Sequence, residues 1–399
     1  MRISHTGEAP PAPLRSALGF VLLLGVVSLC ADVAYEGARS ITGPFLAHLG
    51  ASAATVGVVA GLGEVMGYAL RLPAGYLADR TRRYWPIAML GYAVNMTAVP
   101  LLALASRWDV ASALIVAERI GKGVRTPARD TMLSYAAARL GRGWAFGLHE
   151  ALDQIGAVAG PLVVAGALAL GGGYRWAFAI LAVPAGMALL VLALARWQYP
   201  HPQRLEPPSP VPAQASRLSP RFWLYIAFIA LAVAGFAHFQ VMGFHFKQAG
   251  VVAEVHIPLL FALAMGVDAL AGLALGRWFD RVGLRSLLVV PLLSLPIAPL
   301  VFSASAGMAL AGVLLWGVVL GAQETVCKAA VVSLAPPERR GWAFGVFNAA
   351  YGIAWMVGSA AMGALYEAGI GWVVGFAVAL EALAIPVVWL VVRREGQKG

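Results

Sequence analysis

Residues 142–147 read Arg142-Gly143-Trp144-Ala145-Phe146-Gly147, and the same six return unchanged as Arg340-Gly341-Trp342-Ala343-Phe344-Gly345, an offset of 198 positions. A second pair keeps step with the first: Gly75-Tyr76-Leu77-Ala78-Asp79-Arg80 is answered by Gly276-Arg277-Trp278-Phe279-Asp280-Arg281, an offset of 201. Two loop signatures recurring in the same order half a chain apart mean that the chain is built twice. Duplication into two parallel halves is how alternating-access transporters are made, and a receptor or a channel has no need of it.

The sequence around these loops decides the solvent. Of 399 residues, 60% are apolar and 12% are charged, and the mean hydropathy is +0.78. A soluble domain has about half its residues apolar and about a quarter charged, so this chain lacks the polar surface to cover a water-soluble globule and belongs in a bilayer. Its apolar content matches about twelve spans of ~20 residues. Apolar runs place spans 1 to 6 at 16–49, 52–77, 84–106, 110–136, 144–170 and 176–194, and spans 7 to 12 at 222–246, 255–278, 284–305, 307–334, 342–366 and 372–392. The fold class expected is therefore an all-α membrane protein of twelve transmembrane helices in two pseudo-symmetric six-helix halves, residues 1–195 and 222–399. Between them, residues 196–221 hold seven of the 24 prolines. Such a stretch can neither span nor pack, and it reads as a cytoplasmic linker. The start imitates a secretory signal, and Val27-Ser28-Leu29-Cys30 a lipoprotein box. Leu29 is too large for cleavage before Cys30, so an uncleaved first span is expected.

The formal charge of +10 acquires its meaning from position. With the N-terminus inside, eighteen of the 29 Lys and Arg fall in inner segments and three outside (Arg107, Arg175, Lys247). This bias predicts a multi-pass protein of the cell (cytoplasmic) membrane with both termini in the cytoplasm, and it removes the nucleic-acid reading of a basic chain. Cys30 and Cys327 lie far apart in apolar runs and make no disulfide framework.

These residues resemble the major facilitator superfamily over essentially the whole chain. Gly75-x-Leu77-Ala78-Asp79-Arg80 with Arg83 is similar to the family's motif A. Arg82 stands where the family usually has Gly, and the second copy keeps that residue as Gly283, with Arg285 behind it. Arg119-Ile120-Gly121-Lys122-Gly123 resembles motif B, and Gly156-Ala157-Val158-Ala159-Gly160-Pro161 the first part of motif C, which the family associates with proton-coupled antiporters; Val164-Ala165 replace the glycine pair that should follow. The string Gly121-Lys122-Gly123-Val124-Arg125-Thr126-Pro127-Ala128-Arg129-Asp130, with the Arg-Gly-Trp-Ala-Phe-Gly signature, resembles a poorly characterised prokaryotic branch, some of whose members are linked to drug or metal-ion resistance. The resemblance implies a gating latch at Gly75, Asp79, Arg80 and Arg83, with Gly276, Asp280, Arg281 and Arg285 as its second copy. It also implies a central cavity lined by spans 1, 4, 7 and 10.

Charges inside spans need a partner or a task, because each costs about 2.5–3.5 kcal/mol to insert. Asp32, Glu36 and Arg39 follow at i, i+4 and i+7, and Glu118, Lys122, Arg125 and Arg129 at i, i+4, i+7 and i+11, one helical face each. Arg119 and Asp130 flank the second stripe; Glu64 and Arg71 lie on span 2, and His149, Glu150 and Asp153 on span 5. The second half is barer, with Asp268, Arg277 near the inner edge, Glu324, Lys328 and Glu381, and with His238 and His245 on span 7. Proton coupling is expected at Asp32, Glu36, Glu150 and Asp153, against the alternative of fixed ion pairs that orient helices. Substrate or charge-relay candidates are Arg39, Arg119, Lys122, Arg125, Arg129, His238, Glu324 and Lys328. Gly156, Gly160 and Pro161 are expected to combine close packing with a gating bend. Trp316 and Tyr351 either stack on cargo or fill the core.

The reading that joins these is a secondary transporter exporting small amphipathic molecules against protons. Its partners are the cargo, protons and the bilayer, with no nucleic acid and no cofactor beyond the proton gradient, and it is expected to act as a monomer. Alternatives are import of an organic anion held by the span 4 bases, and metal-ion efflux through Asp32, Glu36, His238 and Cys327. No nucleophile–base set or phosphate loop appears, so an enzyme is not expected.

Overall fold

The computed structural model describes residues 14–140, 142–205, 218–336 and 340–393. The middle of the linker, both termini and the bases there fall outside the described residues, as do the side chains of Arg142, Gly143, Trp144, Phe146, Arg340 and Gly341 from the repeat.

The described residues form helices and turns with no strand. Span 1 is one helix, Leu14–His48. Span 2 is Ala53–Ala69 followed by Arg71–Thr81, span 3 is Tyr84–Leu101, span 4 is Trp108–Leu140 and span 5 is Arg142–Ala169. Span 6 joins Gly173–Ile180 to Ala182–Gln198, so its helix runs into the stretch expected to be linker. Span 7 is Pro220–Gly235 and Phe239–Gln248, and span 8 is Ile257–Val282. In span 9 a 3-10 turn leads to the short helices Val289–Ser294 and Ile297–Val301. Span 10 is Ala306–Ala322, a π-turn at Gln323–Cys327, and Lys328–Leu334. Spans 11 and 12 are Arg340–Ala368 and Ile370–Arg393.

Among the described residues, ten segments are long and apolar enough to cross a membrane. Span 4 is excluded from that set by its charges, and spans 8 and 9 count once because they follow each other directly, which accounts for twelve passes. Leu90, Val183, Leu190, Leu270 and Leu273 point outward, each more than 60% exposed. Such a surface is stable against hydrocarbon rather than water.

The duplication read from two loops extends into the backbone. Span 1 ends with Gly50 N–H donating to Ala47 O and Ala51 N–H to Leu46 O, and span 7 repeats this with Gly250 to Lys247 and Val251 to Phe246. Gly50 and Gly250 both take left-handed φ, 83° and 64°, the helix-ending motif that glycine favours. Span 5 packs on span 1 so closely that a methyl on Gly160 would run into the Val33 carbonyl, and a methyl on Gly358 of span 11 would do the same to Ala234 of span 7. Lipid offers helices no hydrophobic drive to associate, so small residues that let backbones meet supply the cohesion. Gly156, against the Leu29 carbonyl, and Gly160 are accounted for by this packing. Pro161 lies buried inside the same helix.

Buried apolar side chains gather into two clusters, one from spans 1 to 6 joined by Phe244, the other from spans 7 to 12 joined by Ala157. Spans 2 and 11 meet through Gly57, Gly61 and Gly363, whose added Cβ atoms would strike Ser359, Met356 and Ala53. At the end where spans 1 and 7 finish, Gly43 lies against Gln240 and Gly243 against Pro44. There Tyr174 donates to Glu254 Oε2 at 2.6 Å, Lys247 pairs with Glu254, and Ala54 N–H donates to Glu367 Oε1 at 3.1 Å. The two halves are thus sealed at that end.

Candidate functional site

Below the seal lies a cavity of about 530 Å³. It reaches solvent at the end where spans 1 and 7 begin, where its lining residues Gly147, Glu150 and Lys328 are exposed. Its walls come from spans 1, 2, 4, 5, 8, 10 and 11. The expected set of spans 1, 4, 7 and 10 is corrected in one member. Span 7 breaks at Phe236–His238, and the break is packed away: Trp316 donates from Nε1 to the freed Ala237 carbonyl at 2.8 Å, and its ring stacks on Phe236 at 5.5 Å. Trp316 is fully buried and fills the core. Tyr351 donates to Gln323 Oε1 at 2.6 Å, and Tyr225 to the Cys327 carbonyl at 2.7 Å, so both phenols serve the π-turn of span 10. Turns of that kind recur at functional sites, and this one sets Glu324 and Lys328 on the cavity wall.

Glu64 organises the sealed end of the cavity. Its Oε1 accepts from Arg39 Nη2 at 3.1 Å and from His238 Nε2 at 3.2 Å, with Arg119 Nη1 at 3.7 Å. Arg39 also reaches Glu36 at 3.4 Å. One carboxylate from span 2 therefore ties span 1, span 4 and, through His238 at the helix break, the opposite half. Sequence spacing brought out Glu64 only as an embedded charge with Arg71; its partners come from three other spans, and no local pattern encodes them.

The expected stripes hold with one change. Asp32, Glu36 and Arg39 all face the cavity, as do Arg119, Lys122, Arg125 and Arg129. Glu118 does not, because it turns to span 3, where Asn95 donates to it at 2.7 Å, and it holds Arg119 Nε at 3.1 Å. Tyr35 donates to Asp32 Oδ2 at 3.2 Å and accepts from Lys122. Arg129 pairs with Asp130 at 2.8 Å and donates to Ser28, which shares a hydrogen bond with His149. Arg125 is 1% exposed and lies over the Tyr92 ring at 4.2 Å. Its Nε and Nη1 are buried without an acceptor. Asp32 is within electrostatic reach of Asp153, Lys122 and Arg125, and Asp153 Oδ1 is buried and unpaired. Across the cavity, Glu150, Asp268, Glu324 and Lys328 interact electrostatically, and Gln154 hydrogen-bonds Asp268 across the seam between spans 5 and 8.

The donors considered for a metal are not brought together. Cys327 is buried in the core of the second half, His238 is engaged by Glu64, and among the described residues no group of three or more His, Cys, Asp or Glu could hold an ion.

The latch residues lie at the ends of spans 2 and 8. Gly75 packs on Pro127 of span 4, whereas Gly276, its counterpart in the second copy, faces open space. Tyr84 donates to Asp79 at 3.4 Å and Arg80 to Tyr76 at 3.0 Å. Arg83 is exposed, as are Asp280, Arg281 and Arg285, and none of the four has an ion pair among the described residues.

The Major Facilitator Superfamily model matches residues 24–295 and 251–399. An uncharacterized protein of Mycobacterium tuberculosis is 44% identical over 389 residues, covering 96% of this chain and 95% of its own. An uncharacterized MFS-type transporter of Methanocaldococcus jannaschii is 33% identical over 35% of each chain. Among solved structures, a bacterial homolog of the human lysosomal transporter Spinster, in an inward-facing and unoccupied conformation, superposes with a TM-score of 0.73 at 15% identity, over 97% of this chain and 98% of that one. The nucleoside transporter NupG gives 0.71 at 13% identity, over 93% and 98%. A duplicated twelve-helix body around a charged central cavity, matched by the family model over residues 24–399, is a transporter and not an enzyme, and the chain belongs to the Major Facilitator Superfamily.

Proposed function

We propose that this transporter works by alternating access in the cell membrane, with both termini in the cytoplasm, and that it couples cargo export to proton entry. The halves 1–195 and 222–399 rock about their seam, joined by the linker at 196–221. The proton gradient serves in place of a cofactor, and the monomer is the working unit. The observation that carries the reading is the facing pair Asp32 and Asp153, beside Lys122 and Arg125, in a cavity sealed at one end and open at the other. A rocking motion that changes which cations face these carboxylates changes their proton affinity, and so links protons to the conformational cycle. The likeness in fold to an inward-facing Spinster homolog supports reading the opening as cytoplasmic. In that state the exposed latch residues of spans 2 and 8 are the disengaged form of a lock that closes when the cavity turns outward. The export direction rests on the resemblance of Gly156 to Pro161 to an antiporter motif.

The lining supports a small charged cargo better than a wholly amphipathic one. Arg119 and Arg129 are neutralised by their own carboxylates, while Arg125 has none of its own. That guanidinium favours an anionic group on the cargo. Thermal-shift screening of purified protein against anionic, cationic and neutral compounds identifies a binder, whose movement is then followed in proteoliposomes under an imposed pH gradient. Asp32→Asn and Asp153→Asn should each lower gradient-driven transport about tenfold or more. Transport that ignores the gradient and is unchanged in both variants rules out coupling at these sites.

A further inference from the structure

A second cavity, of about 570 Å³, lies away from the transport path, between the start of span 3 and the end of span 6. Arg82, Arg83, Arg196 and His201 line it together with Trp85 and Trp197, and among the described residues no acidic side chain lines it. The three arginines are exposed, and the one contact any of their side chains makes among the described residues is from Arg196 Nη1 to the Met89 sulfur, at 3.0 Å. The walls are fixed. Trp85 donates from Nε1 to the Tyr199 carbonyl at 3.0 Å, and Phe20 of span 1 packs against both Trp85 and Tyr199. The N-terminus of span 3 opens here without a side-chain cap, which adds the positive end of a helix dipole.

Arg82 is the one non-glycine residue with positive φ among the described residues, at 54°, while the equivalent loop of the second half places Gly283 there at 64°. A side chain in this conformation is strained, and such strain collects at sites with a task. In this loop the strained position holds a guanidinium against the cavity. Along the same two spans, Leu90, Leu190 and Leu194 continue from the cavity as exposed apolar surface, so a molecule seated here has its polar end among arginines and an apolar track beside it.

We propose that this groove binds the headgroup of an anionic phospholipid, with the acyl chains along Leu90, Leu190 and Leu194. Unpaired arginines at a membrane face attract phosphate-bearing lipids, guanidinium groups bind phosphate oxygens by paired hydrogen bonds, and Trp197, 78% exposed, has the amphipathic ring that settles at headgroup depth.

The test uses full-length protein in detergent, with phosphatidylglycerol and phosphatidylcholine of identical chains as probes. Phosphatidylglycerol should raise the apparent melting temperature well above the effect of phosphatidylcholine, and native mass spectrometry should find it retained in roughly tenfold excess. The triple variant Arg82→Gln/Arg83→Gln/Arg196→Gln should lose that difference, while Arg107→Gln, at the opposite end of the molecule, should keep it. Equal responses to the two lipids in the wild type overturn the proposal, as does a triple variant that still prefers phosphatidylglycerol. An equal shift with soluble glycerol 3-phosphate would assign the groove to a free phosphate instead. If the triple variant does not fold, the wild-type mass-spectrometric preference decides alone.

Discussion

Gly160 against Val33 in the first half and Gly358 against Ala234 in the second are the same contact made twice, and the helix ends at Gly50 and Gly250 are the same turn made twice. The side chains on that shared backbone differ. At the offset of 201 that takes Val33 to Ala234, Asp32, Glu36, Arg39 and Glu64 fall on Val233, Ala237, Gln240 and Met265, and at the offset of 198 that takes Arg142 to Arg340, Arg125 and Arg129 fall on Gln323 and Cys327. The halves share the means of packing helices in lipid, while the ionic network was placed in one of them. Where span 1 runs unbroken through Glu36, span 7 breaks at Ala237, and Trp316 takes the freed carbonyl. The second half thus presents to the cavity a few charges from spans 8 and 10 and the aromatic ring of Trp355 from span 11.

The shared packing is the easiest part of this comparison to break. Gly160→Leu and Gly358→Leu each drive a side chain into a backbone carbonyl, and each should cost about 3 kcal/mol or more, read as loss of folded, monodisperse protein or a large drop in apparent melting temperature. Tolerance of one and collapse of the other would end the equivalence. The unshared chemistry is tested by Glu64→Gln, which weakens the tie to Arg39, Arg119 and His238 and should lower transport about tenfold, or ~1.4 kcal/mol. Met265→Leu, its counterpart, conserves volume and should cost less than about 1.5 kcal/mol in stability and leave transport near wild type. Equal losses of transport would mean that the network in the first half is structural only. The smallest effect belongs to the paired loops. Arg82→Gly relieves a left-handed backbone and should stabilise the protein in phosphatidylcholine by roughly 1 kcal/mol. Gly283→Ala should destabilise by more, because φ 64° with ψ −143° is open almost only to glycine.

Much of the architecture was legible in the sequence. Apolar runs gave the spans because lipid demands them, and the offset repeat gave the two halves. The i, i+4, i+7 spacing placed Asp32, Glu36 and Arg39 on one face, and they share the cavity. The break in span 7 was not legible, since Gly235-Phe236-Ala237-His238 reads as one more apolar stretch and only the partners of its freed carbonyl reveal it. Glu118 was misdirected by its spacing, because Asn95 on another span decides where it points. Gly276 matched Gly75 in pattern and differs in fact, for Pro127 stands opposite only one of them.

The sequence by itself determined the solvent, the number of passes, the duplication and the family, because each rests on local composition or on repetition along the chain. Only the tertiary structure decided which embedded charges pair, which end is closed, and which arginines are left without a carboxylate. Those outcomes depend on helices distant in sequence, where a single residue such as Glu64 or Tyr35 selects among several bases by distance, and one-dimensional spacing carries no record of that choice.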